Sequence, residues 1–184
     1  MASKVVVLAE PGVIDAWGAV TRCADELGLT AYNVGDLCRG AVHRNTEWGE
    51  RFQAHLRAGE LVPDALLVRF VAEALDRSRE RWMLFGFPRT VGQAESLAAL
   101  GHAPGRVIRI ALDEARAHRD WRLAARQGEL GQLLADHRLR TAPVTAFYQD
   151  STPVHELRRP DSIEELVAGL RALVPPATGP VAPN

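Results

Sequence analysis

Cysteine, lysine and long hydrophobic runs are all scarce in this sequence. Only Cys23 and Cys38 occur among 184 residues, too few for a disulfide framework or a zinc site, so a reducing cytoplasmic location is expected. The apolar run at 5–9 is too short for a membrane span or a signal-peptide core. The net charge of −1 provides no overall field to attract nucleic acid or an anionic membrane. We therefore expect a cytoplasmic domain whose partners are small molecules.

Lysine is rare among the basic residues, and the histidines, which could bind a metal ion, are not clustered in the sequence. Lys4 is the single lysine beside 21 arginines, and the six histidines are scattered along the chain. Their spacing does not match a metal-ligand pattern. We expect no metal site and no cofactor, and no pattern in the sequence indicates a protein partner.

Short β-branched runs alternate with longer helical stretches, a pattern typical of a parallel sheet covered by helices. The sequence therefore predicts an α/β fold with a five-stranded parallel sheet and helices on both faces. Gly28 fits the end of the first helix and Pro63 the first turn of a later one. The predicted strands are 4–9, 30–33, 82–85, 106–111 and 154–157, and the predicted helices 13–27, 46–57, 63–75, 129–147 and 163–173. The Pro-rich stretch 175–184 is predicted to be a disordered tail.

Four blocks give the chain a family resemblance. They read VGDLCRGAVHRNTEWGE at 34–50, AGELVPD at 58–64, GFPRTVGQAE at 86–95 and TAPVTAFY at 141–148. With these blocks the sequence resembles the nucleoside monophosphate kinases, and adenylate kinase in particular, over nearly all of the chain before its tail. The resemblance implies a P-loop-kinase-like single domain at 1–174, in which 35–75 form an inserted helical arm that binds a nucleoside monophosphate.

The resemblance also implies a set of residues that bind AMP or a related nucleoside monophosphate. Arg39 and Arg89 match the family's two phosphate-binding arginines, and guanidinium groups suit this role because they form paired, charge-assisted hydrogen bonds. Gln93 matches the glutamine that reads the base, and an amide has both the donor and the acceptor that an adenine edge requires. Backbone groups of three further residues are implied around the base and ribose: Leu61, Val62 and Gly86.

The phosphate-donor side departs from the family pattern. Phosphoryl transfer in this family uses GxxxxGK[ST] after the first strand, whereas the stretch 9–19 reads AEPGVIDAWGA. Phe85 stands where the family has an aspartate that supports Mg²⁺, and Val34 replaces a common threonine. These differences predict that ordinary ATP-dependent phosphoryl transfer has been lost.

The family's mobile lid is also nearly absent from the sequence, because the stretch after the fourth strand runs almost directly into the next helix. By resemblance, Arg119 and Arg122 are candidate phosphate-binding residues and Arg126 is a third. Leu133 falls where another phosphate-binding arginine is expected.

Two carboxylates in the altered loop allow two interpretations. Glu10 and Asp15 can be solvated loop residues, with Asp15 in a first helical turn, or one of them can be a catalytic acid, base or ligand for a cation or amine. In either case their negative charge, together with bulky Val13, Ile14 and Trp17, is expected to disfavour ATP.

Three functions remain open from the sequence. The first is an enzyme acting on AMP or a related nucleotide by other chemistry, such as hydrolysis, with Glu10 and Asp15 as catalytic residues. The second is a non-catalytic nucleotide-binding or partner-binding protein. The third is a divergent kinase with residual activity or another phosphate donor.

Overall fold

The computed structural model describes residues 3–10, 13, 15–58, 62–78, 81–111, 129–158 and 162–174. Five parallel strands form one sheet in the order β2-β3-β1-β4-β5. The strands are β1 (Ser3–Ala9), β2 (Thr30–Asn33), β3 (Arg81–Phe85), β4 (Arg106–Ala111) and β5 (Val154–Arg158). All five predicted strands are confirmed, and so is the predicted α/β class.

Seven α-helices connect and cover the strands within the described ranges. They are α1 (Ala16–Leu27), α2 (Val34–His43), α3 (Glu47–Arg57), α4 (Asp64–Asp76), α5 (Val91–Leu97), α6 (Glu129–Gln149) and α7 (Ile163–Leu173). A π-helical turn, Ala98–His102, follows α5. Helices α2, α3 and α4 lie between β2 and β3, where the sequence predicted an inserted arm. The limits of that arm, 35–75, and of the domain, 1–174, stay predictions.

The sheet has a hydrophobic core on each face because successive strand residues point to opposite sides. Val5 and Val7 of β1 belong to a cluster with α1 and α7. Val6 and Leu8 belong to a second cluster with α4, α5 and α6. Since both faces are covered, the central strand β1 is apolar along most of its length, as expected within a parallel sheet.

Helix ends follow local hydrogen-bonding rules. Gly28 ends α1 with a φ of 63°, which confirms its predicted capping role. The side chains of Asn33 and Thr90 accept hydrogen bonds from Asp36 N and Gln93 N and so begin α2 and α5. Neither α2 nor α5 was predicted as a separate helix.

Helix α1 begins later than predicted. Asp15 precedes it with a φ of 54°, and α1 starts at Ala16 rather than at Val13. The expectation that Asp15 lies in a first helical turn is therefore wrong, because a left-handed backbone at this residue separates the loop from the helix.

The arm helices pack closely on one another. Phe52 and Phe70 meet edge to face with ring centroids 5.0 Å apart, and Trp48 Nε1 donates to Glu73 Oε2 at 2.8 Å. Gly49 lies against α2 so closely that a Cβ there would be 2.1 Å from Ala41 O. The contact between α2 and α3 therefore requires glycine at this position.

Candidate functional site

Glu10 follows β1 and is buried at the carboxyl end of the sheet. Its side chain is 4% exposed and forms an ion pair with Arg109 of β4, whose own side chain is 33% exposed. Glu10 N also donates to Ile110 O at 3.0 Å. The interpretation of Glu10 as a solvated loop residue is therefore wrong: parallel pairing of β1 with β4 brings Arg109 next to it.

Arg109 connects Glu10 with a second carboxylate. Its Nη1 donates to Glu156 Oε2 of β5 at 2.5 Å. One guanidinium thus joins groups from β1, β4 and β5, and the fixed fork of an arginine is suited to two such partners. Glu10 is paired inside the protein, but Arg109 is shared by two carboxylates, so the expected repulsion of ATP stays a prediction.

Asp15 differs from Glu10 in its exposure and in its contacts. Its side chain is exposed and caps no backbone N–H of α1. A Cβ on Gly18 would lie 2.5 Å from Asp15 Oδ1, so the carboxylate covers the first turn of the helix. Asp15 remains compatible with the solvated interpretation, and its predicted catalytic role stays a prediction.

An aromatic pair lies next to this loop. The rings of Trp17, in α1, and Phe85, the last residue of β3, have centroids 5.6 Å apart and are inclined by 37°. Phe85 is the residue at whose position the resemblance implies an aspartate. An aromatic ring does not supply the oxygen ligands that Mg²⁺ prefers.

The charges of the two predicted phosphate-binding arginines both act on the thiol of Cys38. Burial raises the pKa of the Cys38 thiol, and the positive charges of Arg39 and Arg89 oppose that rise. Both guanidinium groups therefore lie close enough to the thiol to act on its charge. Arg39 is 73% exposed and pairs with Asp36 at 2.5 Å, whereas Arg89 is exposed and its Nε donates to Gly86 O at 3.1 Å.

Gln93 is held by a hydrogen-bond network. It is 5% exposed, its Oε1 accepts from Arg89 N at 2.7 Å, and its Nε2 donates to Asp64 Oδ1 at 2.7 Å. Thr90 Oγ1 donates to the other oxygen of Asp64 at 3.1 Å. Since a backbone N–H only donates and a carboxylate only accepts, these contacts fix the amide orientation and leave it one N–H and one lone pair. The sequence reasoning did not identify Asp64 and Thr90 as part of this network.

The backbone next to this network allows a ligand to approach closely. Gly86 has a φ of 73°, in the left-handed region that favours glycine, and its N–H donates to Val7 O at 3.2 Å. Val62 is half-buried and Val34 is buried. Leu61 lies outside the described residues, so its predicted contact stays a prediction.

His137 is a site residue that the sequence reasoning missed. It lies on α6, donates a hydrogen bond to the Ala9 backbone carbonyl and is near Glu10, Arg109 and Arg89. Burial lowers its pKa, opposed by the charge of Glu10, so the imidazole is neutral at pH 7. Two sequence signals could have pointed to this part of the site. They are Arg109, an arginine within an apolar strand, and Glu10, a glutamate at the end of the first strand.

Several sequence predictions concern undescribed residues. Arg119, Arg122 and Arg126 lie outside the described residues, as does the side chain of Leu133. Among the described residues, no group of three or more histidine, cysteine, aspartate or glutamate side chains is arranged to hold a metal ion. Of the helices in the described ranges, none has the length and apolar composition to cross a membrane.

Comparison with known proteins agrees with this architecture. Residues 16–153 match the family described as adenylate kinase. Adenylate kinase 1 of a Synechocystis species is 32% identical, over 96% of this chain and 99% of that protein. The adenylate kinase of Thermus thermophilus is 31% identical, over 91% of this chain and 95% of that protein. The adenylate kinase of Thermobifida fusca is also 31% identical, over 89% of this chain and 93% of that protein. The chain therefore belongs to the adenylate kinase family.

Proposed function

We propose that this protein binds AMP or a related nucleoside monophosphate and has lost ordinary ATP-dependent phosphoryl transfer. The observation that carries the proposal is the contrast between two neighbouring regions. Two arginines converge beside Cys38, on the side where the family binds a monophosphate. On the donor side, Glu10 of the altered loop is engaged in an ion pair with Arg109, and Phe85, where the resemblance implies an aspartate, packs on Trp17.

The acceptor side has the groups that a single phosphate requires. Arg39 is largely exposed, and Arg89 forms no ion pair with any carboxylate of the described residues. A bound phosphate would supply Arg89 with a charged partner, and such charge-assisted contacts are strong and directional. Gln93, held in one orientation, would still present one donor and one acceptor to a base.

The donor side lacks the groups that stabilise a transferring phosphoryl group. No lysine follows Lys4, and this residue lies in β1, where its Nζ donates to Gly101 O at 2.9 Å. Phe85 cannot support a metal ion, and it packs on Trp17. Because electrostatic stabilisation by lysine and Mg²⁺ supplies most of phosphoryl-transfer catalysis, these losses should compound.

The pairing of Glu10 bears on the proposed hydrolytic chemistry. The Glu10 carboxylate is held and oriented by the Arg109 guanidinium, an arrangement that serves structure rather than activation of a water molecule. We therefore favour binding without turnover over hydrolysis of AMP by Glu10. Because the relatives are named as adenylate kinases, residual kinase activity is the first alternative to test.

Calorimetry with AMP and ATP tests the binding proposal. We expect AMP to bind more tightly than ATP, and Arg89→Ala to weaken AMP binding by about 2–5 kcal/mol because a charged partner of a desolvated phosphate is lost. Arg51→Ala is the matched control, since Arg51 is an exposed arginine of the arm, outside the proposed site, that pairs with a carboxylate of its own helix at 2.5 Å. Equal affinity for AMP in all variants, or tighter binding of ATP, would contradict the proposed site.

Product analysis tests the chemistry. The protein is incubated with AMP, with and without ATP and Mg²⁺, and all nucleotides are measured by mass spectrometry. We expect AMP to be recovered unchanged in both reactions. Sustained formation of ADP would restore the kinase function, whereas a product formed without ATP would establish a different reaction on the nucleotide.

A further inference from the structure

The side chain of Gln93 does more than begin a helix. Thr90 and Gln93 stand three residues apart at the start of α5, a pattern in which the glutamine or glutamate reaches back to the backbone before the helix. Here Gln93 Oε1 accepts from Arg89 N at 2.7 Å. That capping contact needs only an acceptor, so a glutamate would form it equally well. The amide nitrogen of Gln93 has no part in it.

Asp64 is the residue that holds this nitrogen. It is the first residue of the arm helix α4, and its Oδ1 accepts from Gln93 Nε2 at 2.7 Å. Its Oδ2 accepts from Thr90 Oγ1 at 3.1 Å, and the same hydroxyl oxygen accepts from Gln93 N at 3.1 Å. Both carboxylate oxygens of Asp64 therefore bind the start of α5, and the aspartate is itself held in place.

These contacts determine which way round the amide of Gln93 stands. If the amide turned by 180°, Nε2 would face the N–H of Arg89 and Oε1 would face the carboxylate of Asp64. The turned amide would lose two hydrogen bonds, and it would do so at a residue that is only 5% exposed, where unmatched polar groups are costly. Arg89 N provides one restraint on the amide, and Asp64 provides the second, charged one.

An amide held in one orientation distinguishes two classes of purine. Among the described residues Gln93 forms no other side-chain hydrogen bond, so one N–H and one lone pair remain for a ligand. A 6-amino purine presents a donor at its amino group and an acceptor at N1, whereas a 6-oxo purine presents an acceptor and a donor at these positions. An amide that turns freely can serve both patterns. A fixed amide serves only one of them for a given position of the base.

We propose that Asp64 is a positioning residue that selects 6-amino over 6-oxo purine monophosphates by fixing the orientation of the Gln93 amide. This inference rests on the proposed binding of a nucleoside monophosphate. Asp64 acts through Gln93 and not by touching the base. Because Asp64 belongs to α4 and Gln93 to α5, base selection depends on a contact between the arm and the helix that follows β3.

AMP and IMP, which differ only at positions 1 and 6 of the base, test the proposal by calorimetry. We expect the wild type to bind AMP more tightly than IMP, and Asp64→Ala to reduce this preference by at least about fivefold, because a charge-assisted hydrogen bond to the amide is lost. Asp64→Asn is the matched control. Its Oδ1 can still accept from Gln93 Nε2 and its Nδ2 can donate to Thr90 Oγ1, so the preference should stay within about twofold of the wild type. A merely structural role of Asp64 would weaken both nucleotides equally and leave their ratio unchanged.

A measurement without ligand separates this inference from the proposed function. Two-dimensional NMR of the full-length protein records the side-chain amide protons of Gln93, which are assigned by their loss in Gln93→Leu. We expect Asp64→Ala to shift these resonances and to speed the exchange of the protons with water, and Asp64→Asn to keep their exchange slow. Thermal unfolding verifies that each variant is folded. If Asp64→Ala does not fold, Asp64→Ser takes its place, since serine suits a helix start but its side chain is too short to reach the amide.

The possible outcomes are distinguishable. Unchanged Gln93 amide resonances in the alanine variant, or an unchanged ratio of AMP to IMP affinity, would overturn the positioning role while AMP binding itself persists. Equal or tighter binding of IMP by the wild type would also overturn it, and so would the same loss of preference in Asp64→Asn as in Asp64→Ala. Failure of the wild type to bind either nucleotide would refute the proposed function together with the base selection that depends on it.

Discussion

Replacing Arg109 by methionine is expected to destabilise the protein through Glu10. Methionine keeps most of the apolar stem of the side chain but removes the guanidinium. Glu10, with a side chain only 4% exposed, then loses its ion pair with Arg109. Removing one partner of a buried pair costs more than the pair contributes, because the remaining charge is poorly solvated.

The expected magnitude follows from the exposure of the two groups. Loss of one partner of a fully buried pair typically costs about 3–5 kcal/mol. Arg109 is 33% exposed, so water reaches the site once the guanidinium is removed, and we expect a loss of about 2–3 kcal/mol for Arg109→Met. Glu10→Gln should cost less, about 1 kcal/mol, since a neutral amide can still hydrogen-bond to the guanidinium. The double variant should lose less than the sum because its buried groups are no longer charged.

Urea denaturation followed by tryptophan fluorescence measures these differences as free energies of unfolding. Arg158→Met is the matched control, because Arg158 approaches the same Glu156 at 3.7 Å but is 93% exposed, so we expect little change. An Arg109→Met protein within about 0.5 kcal/mol of the wild type, the range of ordinary surface substitutions, would refute the reasoning. Additive losses in the double variant would show that the two groups do not interact energetically.

Three further predictions concern the arm, His137 and the thiols. Gly49→Ala should destabilise the protein by about 2–3 kcal/mol in urea, because its Cβ would lie 2.1 Å from a backbone oxygen of α2, whereas Gly92→Ala, with open space around it, should not destabilise it. Burial lowers the pKa of His137 below 6.5, so its neutral form contributes stability that is present above pH 6.5 and is lost as the pH falls further. His137→Gln should therefore lose less stability than the wild type when the pH is lowered from 7.5 to 5.5. Burial raises the pKa of Cys23 to about 11, so at pH 8 an aromatic disulfide reagent should modify Cys38 first, and AMP should slow that reaction. Faster modification of Cys23 in the native protein would contradict this assignment.

The sequence predicted most of the fold because the pattern of apolar residues is strong in buried elements. The limits of β2, β4 and α7 agree with the prediction. Helix α2 was missed because its segment contains two glycines, which disfavour helix, and its start depends on the side chain of Asn33. Such capping contacts depend on the backbone geometry of a few residues, and apolar periodicity carries little information about them.

Site residues that belong to a contiguous sequence motif were predicted, whereas contacts that form only when distant strands pair were missed. Arg39 and Arg89 were identified from contiguous blocks, and the structure brings them near the same thiol. Glu10 and Arg109 are 99 positions apart in the chain, and their pairing depends on β1 lying beside β4. Strand alternation alone does not determine which strands are neighbours, so the sequence could not distinguish a buried, paired Glu10 from a solvated one.

The guanidinium of Arg109 has a mechanical consequence. It links the carboxyl ends of β1, β4 and β5 through side-chain contacts, in addition to the backbone ladders between these strands. Glu10, directly after β1, therefore cannot move away from β4 without breaking a buried charge contact.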